Sequence, residues 1–206
     1  MKVLLVNGSP HKEGCTYTAL QEVATTLEKN GIETEIFWLG VKEIAGCIGC
    51  GACGKTGECF RKDVVNEFVE KAAKADGYIF GSPVHYAAAS GALTSFMDRA
   101  FYSGGKTMTG KPGAAVVSCR RGGASAAFDQ LNKYFTINCM PVVGSQYWNQ
   151  VHGSNAEEVK QDEEGMQTMR TLGNNMAWLL KCIEAGKEQG ITFPEREPVI
   201  RTNYIR

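Results

Sequence analysis

Net charge is the first thing this chain lacks. Its 206 residues carry 22 basic and 22 acidic side chains, and no block of like sign marks a nucleic-acid surface or a polybasic membrane contact. Long apolar runs are missing too. Val3-Leu4-Leu5-Val6 is far too short to span a bilayer and leads into Gly8-Ser9-Pro10 rather than a cleavage site, so no secretion signal is expected. There is no internal repeat and no low-complexity linker. A G-x-S-x-G nucleophile elbow and metal-hydrolase motifs are absent, which argues against a hydrolase. Neither the G-x-x-x-x-G-K-[ST] phosphate loop nor the G-x-G-x-x-G dinucleotide fingerprint occurs.

Cysteine, by contrast, is crowded. Four of the eight fall within thirteen residues, Cys47, Cys50, Cys53 and Cys59, in the spacing C-x2-C-x2-C-x5-C. Glycine-punctuated spacers of this length let four thiolates face one centre, and two-residue intervals are those of runs that hold iron–sulfur clusters. A [4Fe-4S] cluster is the first expectation. Zinc is the second, although structural zinc sites usually draw two ligand pairs from separate knuckles. Unmetallated thiols in a packed or redox-active loop are the third. Eight cysteines without an export signal point to a reducing cytoplasm, where metal or redox chemistry is favoured over disulfides.

Apolar runs of strand length alternate with amphipathic stretches of helix length, the pattern of a parallel sheet covered on both faces. Strands are predicted at Lys2 to Asn7, Ile32 to Leu39, Gly77 to Ser82, Gly113 to Cys119 and Met140 to Tyr147. Helices are predicted at Thr16 to Asn30, Asp63 to Ala75, Ser90 to Tyr102, Ala124 to Thr136 and Asp162 to Ala185. The expected class is α/β, a doubly wound five-stranded parallel sheet with the cysteine-rich loop after its second strand. One domain over residues 1–186 and a tail over 187–206, fit to pack against a partner subunit, complete the organisation.

Doubly wound sheets bind ligands beyond the carboxyl ends of their strands. The loop after the first strand, Gly8-Ser9-Pro10-His11-Lys12-Glu13-Gly14-Cys15-Thr16, ends at a helix start, where backbone N–H groups favour a phosphate. After the third strand comes Gly81-Ser82-Pro83-Val84-His85-Tyr86, and after the fourth Ser118-Cys119-Arg120-Arg121-Gly122-Gly123. With Phe96-Met97-Asp98-Arg99, these loops resemble the flavodoxin-like NADPH-dependent FMN reductase superfamily over roughly residues 2–185. The cysteine run stands where the iron–sulfur flavoprotein branch of that superfamily carries its cluster motif.

The resemblance implies a flavodoxin-like strand order, 2-1-3-4-5, and FMN as cofactor. It implies that Ser9, His11, Gly14, Cys15 and Thr16 hold the phosphate, and that Pro83, Val84, His85 and Tyr86 follow the ribityl chain and ring edge. Ser118, Cys119, Arg120, Gly122 and Gly123 would border the pyrimidine end. His11 and Cys15 depart from the arginine and the asparagine or serine that many relatives carry. Plainer readings stand beside these: His85 as a hydrogen-bonded loop histidine, Tyr86 and Tyr102 as packing aromatics, Arg120 as a solvated arginine, Asp98 and Arg99 as helix-orienting. Cys119, Cys139 and Cys182 read as buried thiols, and Trp148 and His152 as a loop after the fifth strand that covers a flavin or a hydrophobic patch. The implied function is electron transfer at FMN from NAD(P)H or a ferredoxin-like donor to a small acceptor such as a quinone or oxygen, in a homodimer or homotetramer. A non-enzymatic electron carrier and a redox-sensing or zinc-binding protein on the same scaffold are the alternatives.

Overall fold

A computed structural model describes residues 1–204, so the last two residues of the predicted tail lie outside the described residues. The chain runs β1 (Lys2–Asn7), α1 (Cys15–Lys29), β2 (Glu33–Trp38), α2 (Ala52–Thr56), α3 (Val64–Ala72), β3 (Gly77–His85), β4 (Ala88–Ala89), α4 (Gly91–Met108), β5 (Gly113–Cys119), α5 (Ala124–Ile137), β6 (Gln150–His152), α6 (Ala156–Gln161) and α7 (Glu163–Glu188). Five strands pair in parallel in the order β2-β1-β3-β5-β6, while the two-residue β4 folds back antiparallel on β3. This is the expected 2-1-3-4-5 order with one small hairpin added.

Strand side chains alternate between two cores. Val3 and Leu5 of β1, Ile79 of β3, and Ala114 and Val116 of β5 face α1 and α7, where Leu20, Val23, Leu27, Leu172 and Met176 close the layer. Leu4, Val6, Tyr78, Phe80, Ala115 and Val117 face α3, α4 and α5. The second layer is aromatic: Phe68 stacks edge-on with Phe96 at 5.0 Å and touches Phe37 and Phe80, which continues to Phe135. Each fully buried ring contributes about 1.5–3 kcal/mol relative to exposure. Strands buried on both faces read as continuous apolar runs, which is why β1 and β5 were legible.

The last strand departs from expectation. Met140 to Tyr147 is apolar enough for a strand, yet only Val142 bridges to Gly113, and the ladder resumes eight residues later at Gln150–His152. Asn149 is the reason. Buried at 1% exposure, it donates its amide to the Ala115 and Val143 carbonyls, and its own carbonyl accepts from Val117 N–H. A side chain thus carries part of the ladder while Gly144 to Trp148 loop outward. His152 lies in this strand and Trp148 just before it, so neither follows it as predicted. Helices α2 and α6 were not foreseen, and α4 runs six residues past the predicted Tyr102.

Among the described residues no helix is long and apolar enough to cross a membrane. Beyond α7 the described residues form no regular helix or strand; Phe193 packs against Gly110, and Arg196 donates to the Asn138 carbonyl.

Candidate functional site

The loops at the carboxyl ends of β1, β3 and β5 converge, as the topology requires of parallel neighbours. They are stitched by buried polar groups. Gly8 N–H donates to the Gly81 carbonyl at 2.9 Å, Ser90 Oγ donates back to the Gly8 carbonyl at 3.0 Å, and Ser82 Oγ accepts from Ser90 N–H at 2.9 Å. Thr16 Oγ1 and Ser118 Oγ share a 2.9 Å hydrogen bond although 102 residues apart. In the first loop Asn7 Oδ1 accepts from Ser9 N–H, Asn7 Nδ2 donates to the Lys12 carbonyl, and Trp38 Nε1 donates to the Ser9 carbonyl. Ser9 Oγ accepts from His11 N–H, leaving its own proton to donate.

The helix starts differ in a revealing way. Asp63, Ser90, Asn155 and Asp162 cap α3, α4, α6 and α7 with side-chain hydrogen bonds, whereas α1 starts at Gly14 and α5 at Gly123 with no side-chain cap. These two ends open at the converging loops; the third helix without a side-chain cap, the five-residue α2, starts at Gly51 within the cysteine loop. A helix start left without a side-chain acceptor presents its first N–H groups, and the positive end of its dipole, to an anion or to polarised carbonyl oxygens.

Gly123 sits at φ +91°, and a Cβ there would come within 2.7 Å of the Ala87 backbone, so glycine alone fits. Its neighbour in space is strained. Tyr86 and Ala87 take φ of 50° and 60° in the two-residue turn joining His85 to Ala88, a position where glycine or asparagine is the comfortable choice. Tyr86 stands fully in solvent at the tip. Pro83 and Val84 are half-buried and His85 is exposed, so the segment lies as a rim above the sheet.

Of the five predicted phosphate residues, three line one hollow, while Ser9 and Thr16 are buried and stand outside its lining. His11, Gly14, Cys15, Trp38 and the Ser154–Ala156 turn line an open hollow of about 560 Å³. Cys15 Sγ faces the Gly153 carbonyl at 3.6 Å. Cys119, only 7% exposed, lies 3.4 Å from His152 Nδ1. Burial raises both thiols above their ordinary range, so they stay protonated near neutrality. Arg120, Arg121 and Gly122 are exposed at the loop tip. Cys139 and Cys182, expected buried, are exposed.

Cys47, Cys50, Cys53 and Cys59 all line one cavity of about 190 Å³, walled by Ile48, Phe60, Arg99 and Tyr102. Cys47 and Cys50 are exposed, Cys53 and Cys59 half-buried. Among the described residues no three Cys, His, Asp or Glu side chains stand close enough to hold a single metal ion. The donor set is nevertheless uniform in sulfur and drawn to one hollow. Its tie to the core is Arg99, 2% exposed, whose guanidinium forks onto Asp63 at 2.7 and 2.9 Å. Contacts with Asp63 and Cys59 outweigh burial and hold its proton more tightly than usual.

Sequence reasoning missed Asn7, Trp38, Ser82, Ser90 and the 153–155 turn as parts of the cleft. Ser82 had a signal, in its Ser-Pro motif, and Asn7 meets partners only two and five residues on, whereas Trp38 and Ser90 join the cleft through residues 29 and 82 positions away.

Residues 1–154 match the family described as NADPH-dependent FMN reductase. The chain belongs to that family. Within it, the chain is 36% identical over 192 residues to an iron–sulfur flavoprotein of Methanocaldococcus jannaschii, covering 89% of this chain and all of that one. An iron–sulfur flavoprotein of Archaeoglobus fulgidus is 30% identical over 196 residues, covering 87% and 97%. These relatives set the chain in the iron–sulfur flavoprotein branch of the FMN reductase superfamily, and with it among FMN-dependent oxidoreductases. Solved structures share the fold at low identity: an archaeal flavodoxin at TM-score 0.62 and 16% identity, covering 88% of this chain and 99% of that one, and a flavone reductase at 0.70 and 16%, covering 89% and 64%.

Proposed function

We propose that this FMN reductase family member binds FMN across the three converging loops and passes electrons from NAD(P)H or a ferredoxin-like donor to a small acceptor, with a [4Fe-4S] cluster on Cys47, Cys50, Cys53 and Cys59. The observation that carries the flavin site is the pair of uncapped helices, α1 and α5, opening at the same cleft. When bound, FMN supplies the two-electron to one-electron redox chemistry that no side chain can.

The protein's part is binding and electrostatics. Backbone N–H groups of Cys15 and Thr16, with the hydroxyl of Ser9 and the ring of His11, take the phosphate. Thr16 and Ser118 share one proton between their oxygens and keep a second to donate. Pro83, Val84, His85 and Tyr86 form the wall along the ring edge. Ser118, Cys119 and Arg120 would border the pyrimidine end, and Gly122 and Gly123 would leave the first N–H groups of α5 free to hold the ring carbonyl oxygens. The cluster reading rests on four sulfurs lining one cavity that is larger than a single ion needs.

Purified without oxygen, the protein is expected to show flavin bands over a broad iron–sulfur shoulder, with about four irons and four sulfides per chain. Apoprotein should bind FMN at least tenfold tighter than riboflavin because of the phosphate contacts. Failure to bind either flavin overturns the reading. The exposed Cys47 and Cys50 favour a second reading, a carrier that hands single electrons to partner proteins; steady-state turnover with NADPH and a soluble quinone argues against it. A homodimer or homotetramer, with residues 187–206 as an arm against a neighbour, is part of the proposal. Exposed Trp178, Ile191 and Ile200 support it, and a monomeric mass in solution removes it.

A further inference from the structure

Arg99 belongs to α4, and every hydrogen-bond partner of its guanidinium lies between Ala45 and Asp63, the segment that carries the cysteine loop. Its Nε donates to Cys59 Sγ at 3.3 Å, Nη1 to the Ala45 carbonyl at 3.3 Å and Asp63 Oδ2 at 2.7 Å, and Nη2 to the Arg61 carbonyl at 3.0 Å and Asp63 Oδ1 at 2.9 Å. All five donors of the fork are therefore used or aligned along both ends of one loop, with the side chain 1% exposed. Asp63 is fixed in turn, since its Oδ1 also accepts from Val65 N–H at the start of α3. Asn66 adds a third tie through Nδ2 to the Cys59 carbonyl. By comparison Cys47 Sγ receives a single backbone N–H, from Gly49 at 3.5 Å.

We infer that Arg99 is the positioning residue of the cysteine centre: it closes the loop by gripping both of its ends and makes Cys59 the one sulfur held by a buried, charged donor. This rests on the proposal that the four cysteines hold an iron–sulfur cluster. Two consequences follow from physics. Residues that orient ligands from behind set the affinity of the bound group, typically by 10–100-fold. A charged donor on a ligating sulfur draws negative charge from the centre and raises its reduction potential. Lysine cannot replace it, because an ammonium lacks the planar fork that serves a carboxylate, two carbonyls and a sulfur together.

The test compares wild type with Arg99→Lys, both prepared without oxygen. FMN content and a cooperative melt establish that each is folded. The variant is expected to keep FMN at wild-type stoichiometry, to lose iron to a chelator at least tenfold faster, and to hold its remaining cluster at a lower potential. Unchanged chelator resistance and unchanged potential overturn the inference. If Arg99→Lys does not fold, Asp63→Asn carries the test: it keeps the α3 cap and the contact with Cys59 but weakens the fork, so faster iron loss with a near wild-type potential is expected, and no change in iron loss counts against the inference. If wild type holds no iron, the cluster reading falls by itself. The grip on Cys59 is then read from alkylation of that thiol, which Arg99→Lys should alter at least severalfold relative to Cys50; equal rates overturn it.

Discussion

The cleft at the sheet ends and the cysteine loop, the two places proposed to hold a redox group, are built by opposite means. The cleft is assembled from three strand ends whose positions the two cores fix, so its hydroxyls and glycines inherit the rigidity of the sheet. The cysteine loop inherits nothing from the sheet. It is exposed, its Gly49 and Gly51 take left-handed φ of 66° and 68° in open space, and its hold on the core runs through Arg99, Asp63 and Asn66. Parallel-sheet topology builds a site by default, whereas the loop depends on an anchor reached from a neighbouring helix.

The sharpest way to separate the two regions is to remove two sulfurs. Cys50→Ser with Cys53→Ser is expected to abolish iron binding while FMN stays at one per chain; elemental analysis beside the flavin spectrum reads it, and loss of FMN with the iron would merge what the structure separates. Next in size, Gly123→Ala forces a Cβ onto Ala87 at a left-handed φ. A loss of about 1–3 kcal/mol of stability and at least tenfold in FMN affinity should follow, with iron content intact, as calorimetry and flavin titration would show.

Thr16→Val tests whether the cleft depends on its buried polar stitching. It leaves Ser118 Oγ unpaired and should cost about 1–3 kcal/mol; adding Ser118→Ala should recover part of that, since neither partner is then orphaned. Were the double variant to lose the plain sum, the two hydroxyls would act separately. The smallest effect concerns pH. Burial raises the Cys15 and Cys119 thiols above 9.0, so the fold favours their protonated forms. Their contribution to stability is full below that value and is lost as pH rises through the folded-state pKa. The melting temperature should therefore fall more steeply on the alkaline side in wild type than in a Cys15→Ala, Cys119→Ala variant.

Much of this architecture was legible. β1 and β5 matched their apolar runs to the residue, and Asp63, Ser90 and Asp162 marked helix starts because short polar side chains before an amphipathic stretch have few other uses. The split last strand was not legible, because a buried Asn149 that replaces backbone pairing looks in sequence like any loop asparagine. Arg99 was visible within its Phe-Met-Asp-Arg motif, yet its partners lie 36 to 54 residues away. Only the packing of α4 beside the loop reveals what it grips.

The interrupted last strand bears on how copies of this chain can meet. A sheet edge with free N–H and C=O groups invites another chain to pair along it. On one side β6 offers three residues, and Gly144 to Trp148 bulge out across the rest. On the other, β2 carries Glu33 and Glu35 in a charged knot with Lys2 and Lys71. One margin is short and the other charged, features that disfavour strand-to-strand pairing, which leaves self-association to helices and loop tips.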